Sequence, residues 1–171
     1  GASLLRQAVA DGHELANHGT EDAPMVTWPR DRVTSALASW ETRVQAAVSG
    51  ATSRWFRAPS GLMSNTMATV VAEQGYTSVL ADVYSDDPGI DNAPFHTAMM
   101  LRGMKDGSVA VLHAPDRPSR RQTLDVLREA LPELAKRGFR TTTLSELFAD
   151  QPLPVMAEAM ENHLNRQREH A

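Results

Sequence analysis

Apolar positions along this chain follow two rhythms, one helical and one extended, and they alternate. Leu4, Leu5, Ala8 and Val9 stand at the spacing of one helix face, and Asp11-Gly12 reads as a helix stop with glycine in the left-handed position. A short strand from about His13 to Ala16 is expected next. The same cadence returns at Met67 to Glu73, Gln74-Gly75 and the strand from Tyr76. It returns again at Leu124 to Lys136, Arg137-Gly138 and the strand from Phe139. Helix, glycine, strand, repeated, is the rhythm of parallel βα units.

Other elements fit between these. Pro29 opens a long helix to about Val48, because a proline at an early helical position gives up an N–H that has no partner there. Val33, Leu37, Trp40, Val44 and Val48 recur every three or four residues as its core face. Trp55-Phe56-Arg57 reads as a short strand ending in the turn Ala58-Pro59-Ser60-Gly61, and Asn65 is expected to cap the following helix. Val109 to His113 is a nearly continuous apolar run, the pattern of a strand buried on both faces. Leu153-Pro154 begins a last helix to about Arg168. The pattern predicts one α/β domain over residues 1–150, with 151–171 as a C-terminal helical extension.

Composition narrows the chemistry. The 171 residues are 42% apolar, enough for a core, and the net charge of −4 comes from 21 acidic and 17 basic groups spread along the chain. No basic stripe suits a nucleic acid, and no apolar run approaches the length of a membrane span. Without cysteine, any metal must rest on His, Asp or Glu. The chain opens on Gly1 rather than methionine, as expected of a processed or truncated product. Four polar clusters stand at the ends of expected strands: His18 to Asp22, Arg57 to Gly61, Asp82 to Asp87, and His113. In parallel α/β barrels such ends share one face. His18 and Asp22 carry metal-ligand chemistry on one short connection. His13 is expected to be a strand residue satisfied by a backbone carbonyl, and His96, His163 and His170 to face solvent.

The stretches GHELANHGTEDAP, RWFRAPSG, DVYSDDP and VAVLHAP, followed by RRQTLDVLREALPELAKRGFRTTTLSELF, resemble successive motifs of the polysaccharide deacetylases. That family is the NodB homology domain, or carbohydrate esterase family four, and the resemblance runs from about Ser3 to Phe148. It implies a NodB-type distorted (β/α) barrel and removal of N-acetyl groups from an amino-sugar polymer or oligosaccharide of the chitin or peptidoglycan type. It also implies a divalent metal ion, zinc first, with cobalt, nickel or manganese as alternatives. By resemblance His18 is a metal ligand, and Asp22 stands where the family usually has a second histidine. Arg57 matches the arginine that holds a catalytic aspartate, and Pro59-Ser60-Gly61 the turn whose backbone N–H stabilises the oxyanion. His113 matches the histidine that protonates the leaving amine. Asp87 is the match for the acidic residue that tunes it, with Asp82 and Asp86 as alternatives.

The family's Thr-Phe-Asp-Asp-Gly motif, which supplies the base and a metal carboxylate, is absent from these residues. The expectation is therefore a barrel incomplete at its N-terminal strand or strands, as a fragment of a longer enzyme. The alternative is a non-catalytic carbohydrate-binding or scaffolding remnant of the same fold.

Overall fold

The cadence of helix, glycine and strand persists in the folded chain, but its strands are much shorter than the apolar runs that announce them. The structure is a computed structural model and describes residues 1–116 and 118–149. In order these form α1 (Ala2–Ala10), α2 (Arg30–Ala47), β1 (Trp55–Phe56), a 3-10 turn (Pro59–Gly61), α3 (Asn65–Glu73) and β2 (Thr77–Ser78). A helix α4 (Ala93–Gly103), a second 3-10 turn (Pro118–Arg120), α5 (Thr123–Lys136) and α6 (Leu144–Leu147) complete the described residues. The expected helix from Leu153 and the extension over 151–171 lie outside them.

The described residues group into two compact units, one made of residues 1–80 with 143–149, the other of those between 81 and 142. In the first unit β1 is paired on both edges. It runs parallel to β2, with Trp55 opposite Thr77 and Phe56 opposite Ser78. Its other edge takes Asn17 in a parallel bridge, through Asn17 N–H to the Trp55 carbonyl (2.8 Å) and Arg57 N–H to the Asn17 carbonyl (2.9 Å). The strand expected at residues 13–16 thus pairs only at Asn17. The reason is local: the His13 N–H is spent on the Ala8 carbonyl, closing α1 behind Gly12 at φ +88°, and His13 itself is exposed.

Helix α2 buries Val33, Ala36, Leu37 and Val44, while Trp40 and Val48 of the expected face are half-buried. Its face packs with Met25, Trp28, Phe56, Met67, Val70 and Val71. Each such side chain contributes about 1.5–3 kcal/mol on burial. Ser64, not Asn65, caps α3: its hydroxyl accepts from Met67 N–H at 3.3 Å. Glu14 fastens the segment after Thr143 to this unit, accepting from Trp55 Nε1 (3.0 Å) and Ser145 N–H (3.0 Å).

In the second unit α4 packs against α5, with Met100, Ala130 and Leu134 at the contact. The sequence reading assigned no helix or strand to residues 93–103; the helix is capped by Asn92, whose side chain accepts from Phe95 N–H. The apolar run from Val109 makes one bridge, Ala110 to Val83, and residues 109–113 are half-buried rather than buried on both faces. Residues 139–142 form no strand, although the helix before them ends at Gly138 as expected. An apolar run is a strand only where a neighbouring backbone pairs with it.

Candidate active site

Asn17, not His18, organises the first polar cluster. It is fully buried, and its amide donates to the Leu37 carbonyl (3.3 Å) and the Tyr76 hydroxyl (2.9 Å). Its side-chain oxygen accepts from Gly19 N–H (2.9 Å), which turns the chain sharply after His18. Gly19 sits at φ +73°, and a Cβ there would meet Met25 Sδ at 2.9 Å, so the turn requires glycine. Burial also raises the Tyr76 phenol pKa well above its ordinary value, and its hydrogen bond to Glu41 (2.6 Å) adds to the shift. The sequence reading gave Asn17 no role; a polar residue directly before the candidate ligand, on a paired edge, was the available signal.

His18 is half-buried, and both its ring nitrogens face Arg57. Nδ1 lies 2.6 Å from the Arg57 carbonyl, which can only accept, so Nδ1 carries the proton. Nε2 then accepts from the Arg57 guanidinium at 3.0 Å, a donor that a metal at Nε2 would displace. Asp22 is exposed four residues on. Beyond β1, Arg57 leads into the Pro59–Gly61 turn, where Pro59 is buried and Ser60 is exposed. Ser60 has φ +57°, a left-handed conformation that costs a residue with a Cβ about 1 kcal/mol.

In the other unit Asp87 is fully buried and grips His113 twice. Oδ1 accepts from His113 Nδ1 (2.9 Å) and Oδ2 from His113 N–H (2.7 Å). The two alternatives are engaged elsewhere. Asp82 accepts from Ser108 Oγ (3.0 Å) and Val109 N–H (2.7 Å), and these bonds hold its carboxyl below the usual range. Asp86 accepts from the Tyr84 hydroxyl (3.0 Å). Asp86 has φ +56°, and among the described residues it and Ser60 are the non-glycine residues at positive φ. Both lie in turns that carry candidate site residues, where backbone strain concentrates.

His96 corrects the sequence reading, which placed it in solvent. It is fully buried, with Nε2 2.7 Å from the Ile90 carbonyl and Nδ1 2.8 Å from Ser85 Oγ. His163 and His170 lie outside the described residues.

For a metal, the donors of the first cluster fit in kind but not in number. A ligating histidine ordinarily gives its second ring N–H to a backbone carbonyl or carboxylate, as His18 does to Arg57. Yet among the described residues no three or more His, Asp or Glu side chains are grouped to hold an ion.

Residues 1–79 match the family described as polysaccharide deacetylase. The chain is 30% identical over 155 residues to a chitooligosaccharide deacetylase from Sinorhizobium fredii, covering 84% of this chain and 71% of that protein. It is 27% identical over 150 residues to a peptidoglycan-N-acetylglucosamine deacetylase from Bacillus cereus, covering 85% and 68%. Among solved structures, a family 4 acetyl xylan esterase from Clostridium thermocellum, in complex with a cobalt ion, superposes with a TM-score of 0.79. It is 28% identical, over 90% of this chain and 73% of that one. The fold class is accordingly the NodB-type distorted (β/α) barrel. The chain belongs to the polysaccharide deacetylase family, hydrolases acting on carbon–nitrogen bonds.

Proposed function

We propose that this protein removes N-acetyl groups from an amino-sugar polymer or oligosaccharide of the chitin or peptidoglycan type, releasing acetate. The observation that carries this reading is the His113–Asp87 pair: a half-buried imidazole held by both oxygens of a fully buried carboxylate. An ionised carboxylate only accepts, so the pair keeps His113 protonated at Nδ1 and leaves Nε2 to carry the transferred proton. His113 then serves as the general acid toward the leaving amine, a role worth typically 10²–10⁴-fold. Asp87 orients it. The backbone N–H at Ser60 is assigned to the oxyanion, with Pro59 and Gly61 shaping the turn, and Arg57 to holding the catalytic carboxylate.

A divalent metal, zinc first, would take His18 and Asp22 as ligands and, when bound, supply Lewis-acid stabilisation of the acetyl oxygen. Two donors leave the shell open, so we assign its remaining ligands and the general base to residues other than those described. A single NodB domain over residues 1–150 belongs to the same reading.

Acetate release from chitooligosaccharide, peptidoglycan fragments and acetylated xylan tests the proposal. It is measured with zinc or cobalt, on this chain and on a form extended by the residues encoded ahead of Gly1. Release from N-acetylated substrates by the extended form is the expected result. If the extended form is inert and metal-free, the non-catalytic glycan-binding alternative takes its place. Preference for acetylated xylan would move the chemistry from amide to ester.

A further inference from the structure

The turn that presents Asp87 is held from outside by side chains that the chemistry above leaves unused. His96, on α4, donates from Nε2 to the Ile90 carbonyl and accepts at Nδ1 from the Ser85 hydroxyl, so it ties both ends of the turn. Gln122 and Thr123 stand side by side at the start of α5. The Gln122 amide donates to the Asp87 carbonyl (2.8 Å) and to the Ile90 carbonyl (3.1 Å). The Thr123 hydroxyl donates to the His113 carbonyl (2.8 Å). One helix start therefore grips the backbone of both members of the pair. All three side chains are buried.

Two further facts argue that these bonds set position rather than merely fill space. Asp86, next to Asp87, is held at a left-handed φ of +56°, a conformation that needs support from its surroundings. The Gln122 side-chain oxygen is buried without a hydrogen-bond partner among the described residues. An amide kept where one of its ends is unsatisfied is there for the other end, and its N–H groups face the Asp87 and Ile90 carbonyls. The reversed amide would set its oxygen against those carbonyls.

We propose that His96, Gln122 and Thr123 are positioning residues that lock Asp87 and His113 in register and so fix the His113 tautomer. The proposal rests on the reading of His113 as proton donor only for its effect on rate; the tautomer is observable without turnover. ¹⁵N–¹H spectra of histidine-labelled chain are compared for wild type, Gln122→Met, His96→Leu and His96→Gln. Wild type is expected to show His113 protonated at Nδ1. In Gln122→Met and His96→Leu the two ring nitrogens should move toward averaged shifts, while His96→Gln, which keeps a donor toward Ile90, should restore the wild-type pattern. In the active form kcat should fall about tenfold in the first two variants with KM unchanged.

An unchanged His113 spectrum in both folded loss variants overturns the proposal, as does His96→Gln behaving like His96→Leu. If Gln122→Met does not fold, the two His96 variants decide. If no loss variant folds, the contacts serve folding and the proposal is lost. A wild type that fixes the tautomer but releases no acetate would refute the deacetylase reading and leave the positioning role standing.

Discussion

His113 and His18 are both half-buried imidazoles beside a carboxylate or an arginine, and the contrast between them defines what this chain supplies. His113 is held by a fully buried Asp87, and the turn behind that carboxylate is fastened by side chains from two helices. His18 is held by the backbone and guanidinium of Arg57, and Asp22, its partner in sequence, is exposed. The first arrangement is a histidine–carboxylate pair assembled within one unit of the chain, and to it we assign proton transfer. The second is an imidazole whose two ring nitrogens are both engaged by Arg57, with too few grouped donors to hold an ion among the described residues.

The sharpest way to break this comparison is Asp87→Asn, which leaves the volume intact and removes the symmetric acceptor. The amide accepts at one atom only, so His113 loses one of its two restraints. We expect kcat of the active form to fall roughly 10²–10⁴-fold with the fold retained. Asn17→Leu attacks the other region. It strips partners from Gly19 N–H, the Leu37 carbonyl and the Tyr76 hydroxyl, and denaturant unfolding should register a loss of about 2–4 kcal/mol. His18 loses its fixed geometry in that variant, whereas the His113 resonances stay put.

A smaller effect comes from pH. The folded-state pKa of Tyr76 is raised by burial and by Glu41, so the neutral phenol stabilises the fold fully below pH 10.0, its ordinary value. As pH rises from there toward the folded-state pKa the contribution is lost. Tyr76→Phe should cost about 1 kcal/mol at neutral pH and flatten the decline above pH 10.0, measured by denaturant midpoints against pH.

Helices were legible in the sequence because their signal is local. The face of α2 and the glycine stops at Gly12, Gly75 and Gly138 are written in consecutive residues. Strands were less so, since pairing depends on residues far away: the run from Val109 looks like a central strand yet bridges only Val83. Helix α4 carried an Asn92 cap and Pro94 in its first turn, whereas α2 has Pro29 at its N-cap, but the buried positions His96, Thr97 and Met100 of α4 do not read as an apolar face.

The candidate site divides the same way. His18, Arg57 and His113 were visible by residue type and motif order. Motif order already favoured Asp87 over Asp82 and Asp86, and what the sequence could not show is the contact: Asp87 bonds His113 while Asp86 bonds Tyr84 and Asp82 bonds Ser108 and Val109. Asn17 and His96 were missed because a buried polar side chain is recognised only by its partners, and theirs include Tyr76, Leu37, Ser85 and Ile90.

We propose a division of roles in which His113 transfers the proton while His18 and Asp22 hold the metal. It is tested most directly by measuring metal content and acetate release together, in wild type and His113→Ala of the extended form. Equal metal content and a loss of about 10²–10⁴-fold in acetate release from chitooligosaccharide are expected. Release that survives the substitution, or metal lost along with it, would overturn that division of roles.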